Sequence, residues 1–395
     1  MSSSTSLADV IRRTAAEVGY PSLLDFQCKS LELVAQKKDV FIVAPTGTGK
    51  SLCFHLIPRV LRVLGHPCGT VVVISPLIWL IGDQIKRLHE LGESACRLPE
   101  WNLLAPASFL FLRPEELLRP VISQLQLLWQ SSTLTAFVID EAHCALHWGD
   151  SFRQDYGHLK TRLSIFQGTP RMAMTATASP TNVHLIQTYL GMPEAHVLFE
   201  RSAKQCAYLT VKPAADAEAS IRRLLLQVLN KDQILKTVIF FRERKAVANT
   251  WRFFHNELEN KERGRGSEVA MYMSSTAERV KLLIAQDFKQ KDSRIRVLFA
   301  TSAFGLGVDC RGIRRVIHFD PPTNFDAYTQ EIGRAGRDGE LTFAILFATS
   351  TAGCDDKMKE YISLKDSCRR LFFSAFYQLA PVSCPPNVCC DYCAK

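Results

Sequence analysis

Short apolar runs recur along this chain, separated by amphipathic stretches. Residues 40–43, 71–75, 109–112, 136–139 and 172–176 read as strands, each a continuous apolar run of the kind covered on both faces of a sheet. A second block repeats the pattern at 237–241, 269–272, 296–300, 315–319 and 343–347, with helical stretches such as 275–290 between the runs. Strands that alternate with helices predict mostly parallel sheets with helices on both faces. Between the blocks, 201–235 is more polar and alanine-rich and closes on a helical run from Ile221 to Leu226, so a domain junction is expected near 198–210. The pattern divides the chain into an α/β lobe at 1–200, a second at 201–350 and a small cysteine-rich end at 351–395.

Composition agrees with this division. At 395 residues the chain exceeds one ordinary core, and 47% hydrophobic with 22% charged residues is the balance of a globular protein. The longest apolar stretch, near 71–81, is interrupted by Pro76 and followed by Asp83, which argues against a membrane span. The first residues have neither a basic start nor an apolar stretch, so secretion is not expected and the protein should work inside the cell. A formal charge of +9 favours a polyanionic partner. Of 13 cysteines, five crowd into the last 28 residues, where thiols or metal ligands are expected rather than disulfides.

The chemistry begins after the first predicted strand. Ala44-Pro45-Thr46-Gly47-Thr48-Gly49-Lys50-Ser51 fits a phosphate loop: glycines let backbone N–H groups close on phosphates, Lys50 reaches the outer phosphates, and the Ser51 hydroxyl is placed for Mg²⁺. Asp140-Glu141-Ala142-His143 ends another strand, putting Asp140 where it can hold the metal through water and Glu141 where it can polarise an attacking water. In the second block Arg334 and Arg337, three apart, are expected on one face of a helical turn near Gln330, where they can reach a γ-phosphate across a cleft. At the C-terminus, Cys390 and Cys393 have the spacing of paired zinc ligands, with two further ligands to come from elsewhere in the chain.

With these motifs in this order, the chain resembles superfamily 2 helicases, and specifically the RecQ family of DNA helicases, from about residue 20 onward. Ser75-Pro76-Leu77-Ile78 with Asp83-Gln84 is similar to the family's first DNA-contact motif, and Phe111-Leu112-Arg113-Pro114-Glu115 to the next. The segment 147–156 resembles the aromatic-rich loop that couples DNA to ATP hydrolysis; there Trp148 and Phe152 offer faces for base stacking, and Arg153 adds charge. Thr175-Ala176-Thr177-Ala178 resembles the motif that couples the lobes. The stretch around Gly307 and Asp309, and His318-Phe319-Asp320, resemble second-lobe motifs.

The resemblance implies two tandem RecA-like lobes and a small helical zinc-binding module. It implies that Tyr20 stacks on adenine and Gln27 reads it, although Leu24 stands where the family usually has a basic residue. Cys368, Cys390 and Cys393 match the zinc module; the fourth ligand is Cys384 on this reading, with Cys389 as the alternate. It implies ATP, Mg²⁺ and Zn²⁺ as cofactors, single-stranded and tailed duplex DNA as partners, no membrane, and a monomer in the active form. The expected activity is ATP-dependent 3′ to 5′ unwinding in DNA recombination or repair, in the nucleus if the source is eukaryotic. The winged-helix and HRDC regions of many relatives find no match, and the segment between Asp83 and Pro114 is short. These departures keep two rivals open: a strand-annealing ATPase with weak unwinding, and an RNA-dependent ATPase.

Overall fold

The computed structural model describes residues 6–394 except 46, 67–68, 77, 99–100, 102–106, 148–157, 177, 201–206, 230–234, 263, 291, 306–311, 337–338 and 379–384. The chain divides into two compact units, Met1–Arg201 and Ser202–Lys395.

The first unit is built on a seven-stranded sheet. In chain order the strands are β1 (Val40–Val43), β2 (Thr70–Ile74), β3 (Ala95–Arg97), β4 (Phe109–Leu112), β5 (Leu134–Ile139), β6 (Arg171–Thr175) and β7 (His196–Phe199). Their spatial order is β3-β4-β2-β5-β6-β1-β7, and every pairing is parallel. All residues of β1, β2 and β4 are buried, which accounts for their unbroken apolar sequences. One face packs on the helices Leu7–Glu17 and Asp25–Ala35 through Ile11, Ala15, Phe26, Leu31 and Val34.

The second unit has a six-stranded parallel sheet of β8 (Ala207–Pro213), β9 (Thr237–Phe240), β10 (Val269–Tyr272), β11 (Val297–Ala300), β12 (Arg315–His318) and β13 (Thr342–Ala348), ordered β10-β11-β9-β12-β13-β8. Helices Asp216–Leu229 and Arg244–Glu262 bury Ile221, Leu224, Val247 and Phe254 against it. The ten strands read from the sequence are all present, within a residue or two at their ends. The three unforeseen strands, β3, β7 and β8, are sheet edges with partly exposed residues, so no continuous apolar run marks them.

The cysteine-rich end packs onto the β8 edge. Cys390 bridges to Leu209, Asp391 N donates to Leu209 O at 2.9 Å, and Val211 N donates to Asp391 Oδ2 at 2.9 Å. Paired in this way, the edge is covered rather than left open to another chain. Among the described residues, no helix is long and apolar enough to cross a membrane.

Candidate nucleotide site and cysteine cluster

Parallel β1, β5 and β6 bring their carboxyl ends together, and each delivers part of one motif. After β1 the loop turns through Gly47 (φ 81°) and Gly49 (φ 80°), a backbone that side chains rarely tolerate. Gln27 fastens this loop from below: its Nε2 donates to Thr48 O and Gly49 O at 3.1 Å each, while its Oε1 accepts from Leu24 N at 2.9 Å. The side chain expected to read adenine is therefore buried and holds the phosphate loop to its neighbouring helix. Tyr20 packs at the margin of the same core, and its hydroxyl accepts from Arg87 Nη2 at 3.2 Å. Lys50 Nζ donates to Ala44 O at 2.7 Å and Pro45 O at 3.2 Å, while Ser51 Oγ accepts from Gln84 Nε2 at 3.1 Å. Thr46 lies outside the described residues.

The acidic motif follows β5. Glu141 has φ 50°, a left-handed conformation that a non-glycine residue adopts at some cost, of the kind found at functional sites. His143 Nδ1 lies 3.4 Å from Glu141 Oε2 and 3.1 Å from Thr175 Oγ1, so the imidazole joins the β5 motif to the end of β6. Burial, and then the adjacent Glu141 charge, push the Asp140 carboxyl up to about 7, against the opposing pull of Lys50. Glu141 Oε2 is buried, and beyond the 3.4 Å approach of His143 Nδ1 it has no hydrogen-bond partner among the described residues. Two buried carboxylates side by side are poorly compensated, and their oxygens, like the Ser51 hydroxyl, are hard donors. That donor set fits Mg²⁺.

In the second unit, Gln330 lies on helix Phe325–Ile332, capped by Asn324, whose Oδ1 accepts from Ala327 N at 2.8 Å. Glu331 Oε2 holds His318 Nε2 at 2.8 Å, and that imidazole stacks on Phe240 with ring centres 5.3 Å apart. The helix ends at Ile332, and Gly336 takes φ 67° shortly after. Arg334 lies in the turn that follows the helix, where Arg334 N donates to Glu331 O at 3.3 Å; it is buried, with its guanidinium 5.5 Å from the Phe304 ring centre. Arg337, Gly307, Asp309, Trp148, Phe152 and Arg153 lie outside the described residues.

At the C-terminus the sulfurs of Cys368, Cys389, Cys390 and Cys393 lie within 4.8 Å of one another. The separations are 3.4 Å for Cys368–Cys389, 3.8 Å for Cys368–Cys390 and 3.6 Å for Cys390–Cys393. A tetrahedral ion with bonds of about 2.3 Å requires sulfurs about 3.8 Å apart. The sulfurs lie too far apart for disulfides, at about 2.05 Å, and at the right spacing for Zn²⁺. Burial, and then the neighbouring cysteines, raise the Cys389 thiol far above its ordinary range and push Cys393 up to about 11, whereas Cys368 is lowered, its burial outweighed by the Leu371 and Arg370 backbone N–H groups and by Cys389. Among the described residues the fourth sulfur is that of Cys389, the alternate in the sequence reading; Cys384 lies outside them. Cys368 caps helix Arg369–Phe376, and Arg369 Nε reaches Asp391 Oδ1 at 2.6 Å, tying the two halves of the cluster together.

Two contacts were not foreseen from the sequence: the hydrogen bond from Gln84 to Ser51, and that between His55 Nε2 and Gln84 Oε1 at 2.7 Å. His55 stands four residues after Ser51, one helical turn away, and that spacing was the available signal.

Comparison with known proteins agrees with this arrangement. Residues 24–186 match the DEAD/DEAH box helicase family and residues 220–339 the helicase conserved C-terminal domain. The probable ATP-dependent DNA helicase RecS of Bacillus subtilis is 32% identical over 83% of this chain and 64% of its own length. ATP-dependent DNA helicase RecQ of Haemophilus influenzae is 30% identical over 83% of this chain and 51% of its own. For the RecQ-like DNA helicase BLM of Xenopus laevis the figures are 32%, 78% and 23%. The chain therefore spans less than two thirds of each of these curated relatives.

Among solved structures, Mycobacterium smegmatis helicase Lhr bound to ssDNA and AMP-PNP matches with TM-score 0.66 and 18% identity, over 89% of this chain and 49% of Lhr. S. cerevisiae Dbp5, bound to RNA and ADP BeF3, matches with TM-score 0.63 and 17% identity, over 90% of this chain and 91% of its own. At that identity the structures establish the fold, two RecA-like lobes, and do not choose between DNA and RNA. On its sequence relatives, the chain belongs to the RecQ family of helicases.

Proposed function

We propose that this protein is an ATP-dependent DNA helicase that moves 3′ to 5′ along single-stranded DNA and separates duplexes ahead of it, in DNA recombination or repair. In a eukaryotic cell that work lies in the nucleus. The reading rests on the phosphate-loop sequence that follows β1 and the acidic motif that follows β5, with Lys50 acting on the Asp140 charge, in a chain whose relatives are named DNA helicases.

Lys50 and the loop amides from Gly47 to Ser51 hold the phosphates of ATP, with Tyr20 and Gln27 beside the adenine side of the site. Ser51 and Asp140 would hold Mg²⁺, which supplies charge neutralisation on the phosphates when bound. Glu141 orients the attacking water, and His143 links that carboxylate to Thr175. On the family resemblance, Arg334 and Arg337 with Gln330 add positive charge and polar contact at the γ-phosphate, and Gly307 and Asp309 belong to the same nucleotide response. Trp148, Phe152 and Arg153 take the DNA-sensing role. Cys368, Cys389, Cys390 and Cys393 hold structural zinc at the β8 edge.

The test is ATP turnover with and without single-stranded DNA or RNA. Strong stimulation by DNA and little by RNA is expected. Stimulation by RNA alone would replace this reading with an RNA-dependent ATPase.

A further inference from the structure

Gln84 belongs to helix Ile78–Glu90, in the stretch whose resemblance is to a DNA-contact motif, yet its side chain turns to the nucleotide site. Its Nε2 donates to Ser51 Oγ at 3.1 Å and its Oε1 lies 2.7 Å from His55 Nε2. His55 is 2% exposed, and burial lowers its imidazole to about 4, which leaves the ring neutral.

A serine hydroxyl has one proton and two lone pairs and rotates freely unless something fixes it. An N–H donor occupying one lone pair leaves the second for a cation and directs the proton away from both. A flipped amide would do the opposite, presenting a carbonyl to Ser51 and drawing the hydroxyl proton toward itself. His55 Nε2 lies 2.7 Å from Gln84 Oε1, and the Nε2–H tautomer favours the orientation that points the amide nitrogen at Ser51. Side chains that orient a metal ligand in this way carry about 10–100-fold in metal affinity or activity.

We propose that Gln84, hydrogen-bonded to both His55 and Ser51, is a positioning residue that sets the Ser51 hydroxyl for Mg²⁺. The inference rests on the ATPase reading above and names a determinant of its metal dependence outside the phosphate loop and the acidic motif. It also gives the helix after Ser75-Pro76 a direct bond to the metal-binding side chain.

The experiment measures the affinity of the full chain for a fluorescent ADP analogue in Mg²⁺ and in EDTA. In the wild type Mg²⁺ tightens binding. Gln84→Met, which keeps the length of the side chain but has no donor, loses about tenfold or more of that enhancement and keeps the affinity in EDTA. His55→Gln, which still offers an N–H to Gln84, retains the enhancement. Full enhancement in Gln84→Met overturns the inference alone, as does an equal loss in Mg²⁺ and EDTA, which marks a merely structural role. A wild type whose nucleotide affinity ignores Mg²⁺ overturns the inference and the ATPase reading together.

Discussion

Replacing Cys389 by serine tests the cysteine cluster at its least expected member. The four sulfurs lie within 4.8 Å of one another, and the separations of 3.4, 3.6 and 3.8 Å all include Cys368 or Cys390, with Cys389 only 3.4 Å from Cys368. Serine is a poor zinc ligand, so three thiolates remain and affinity falls. At free zinc about 1,000-fold above the dissociation constant, bound metal contributes about 4 kcal/mol to stability, and a variant that no longer binds forfeits this. The module should not detach completely, because the Asp391 bonds to Leu209, Val211 and Arg369 do not involve the ion. Zinc released per chain, measured with a colorimetric chelator, and thermal melting with and without EDTA provide the assay. Wild type and Cys384→Ser are expected to carry about one zinc and to melt lower in EDTA. Cys389→Ser should carry little zinc and melt at one temperature in both buffers. Zinc retained in Cys389→Ser and lost in Cys384→Ser would refute the geometric assignment.

Other predictions concern the buried groups. His55 takes up a proton at about 6.5 when unfolded but only near 4 when folded, because burial disfavours the charged ring. The unfolded state therefore binds more protons in that window, and stability falls as pH drops from 6.5 to 4 by about 3 kcal/mol from this residue. Denaturant unfolding at about pH 7 and about pH 4.5 should show a smaller loss in His55→Gln than in wild type. Asp140 behaves oppositely: its carboxyl, raised to about 7 by burial and Glu141, costs stability increasingly as pH rises from 3.8. Asp140→Asn should melt higher than wild type at about pH 8 without Mg²⁺, and its ATP turnover should be lost; a lower melting temperature would contradict the account. Phe325 packs against Tyr361, Phe372, Phe373 and Phe376 with ring centres 4.7–5.1 Å from its own, so Phe325→Ala should cost about 3–5 kcal/mol in chemical denaturation.

The central strands were legible because full burial demands unbroken apolar runs, as in Val40-Phe41-Ile42-Val43. The edges were not, since β7 exposes His196 and Val197 and β8 is only half-buried. Phosphate-loop and acidic motifs restrict residue types strongly, so Lys50, Ser51, Asp140 and Glu141 stood out as candidates. Their supports did not, because Gln84 reaches Ser51 through the packing of a separate helix. Choosing between neighbouring cysteines depends on backbone direction: the short helix Pro386–Cys389 and the Leu209–Cys390 bridge turn both Cys389 and Cys390 inward, and no spacing rule predicts that.

Unwinding of matched duplexes with a 3′ or a 5′ single-stranded tail, followed by strand separation on a gel or by fluorescence, tests the central claim most directly. Wild-type protein with ATP and Mg²⁺ should separate the 3′-tailed duplex and leave the 5′-tailed one intact, and Lys50→Ala should separate neither. Separation of neither duplex by the wild type, or equal strand annealing by wild type and Lys50→Ala without ATP-driven opening, would contradict it.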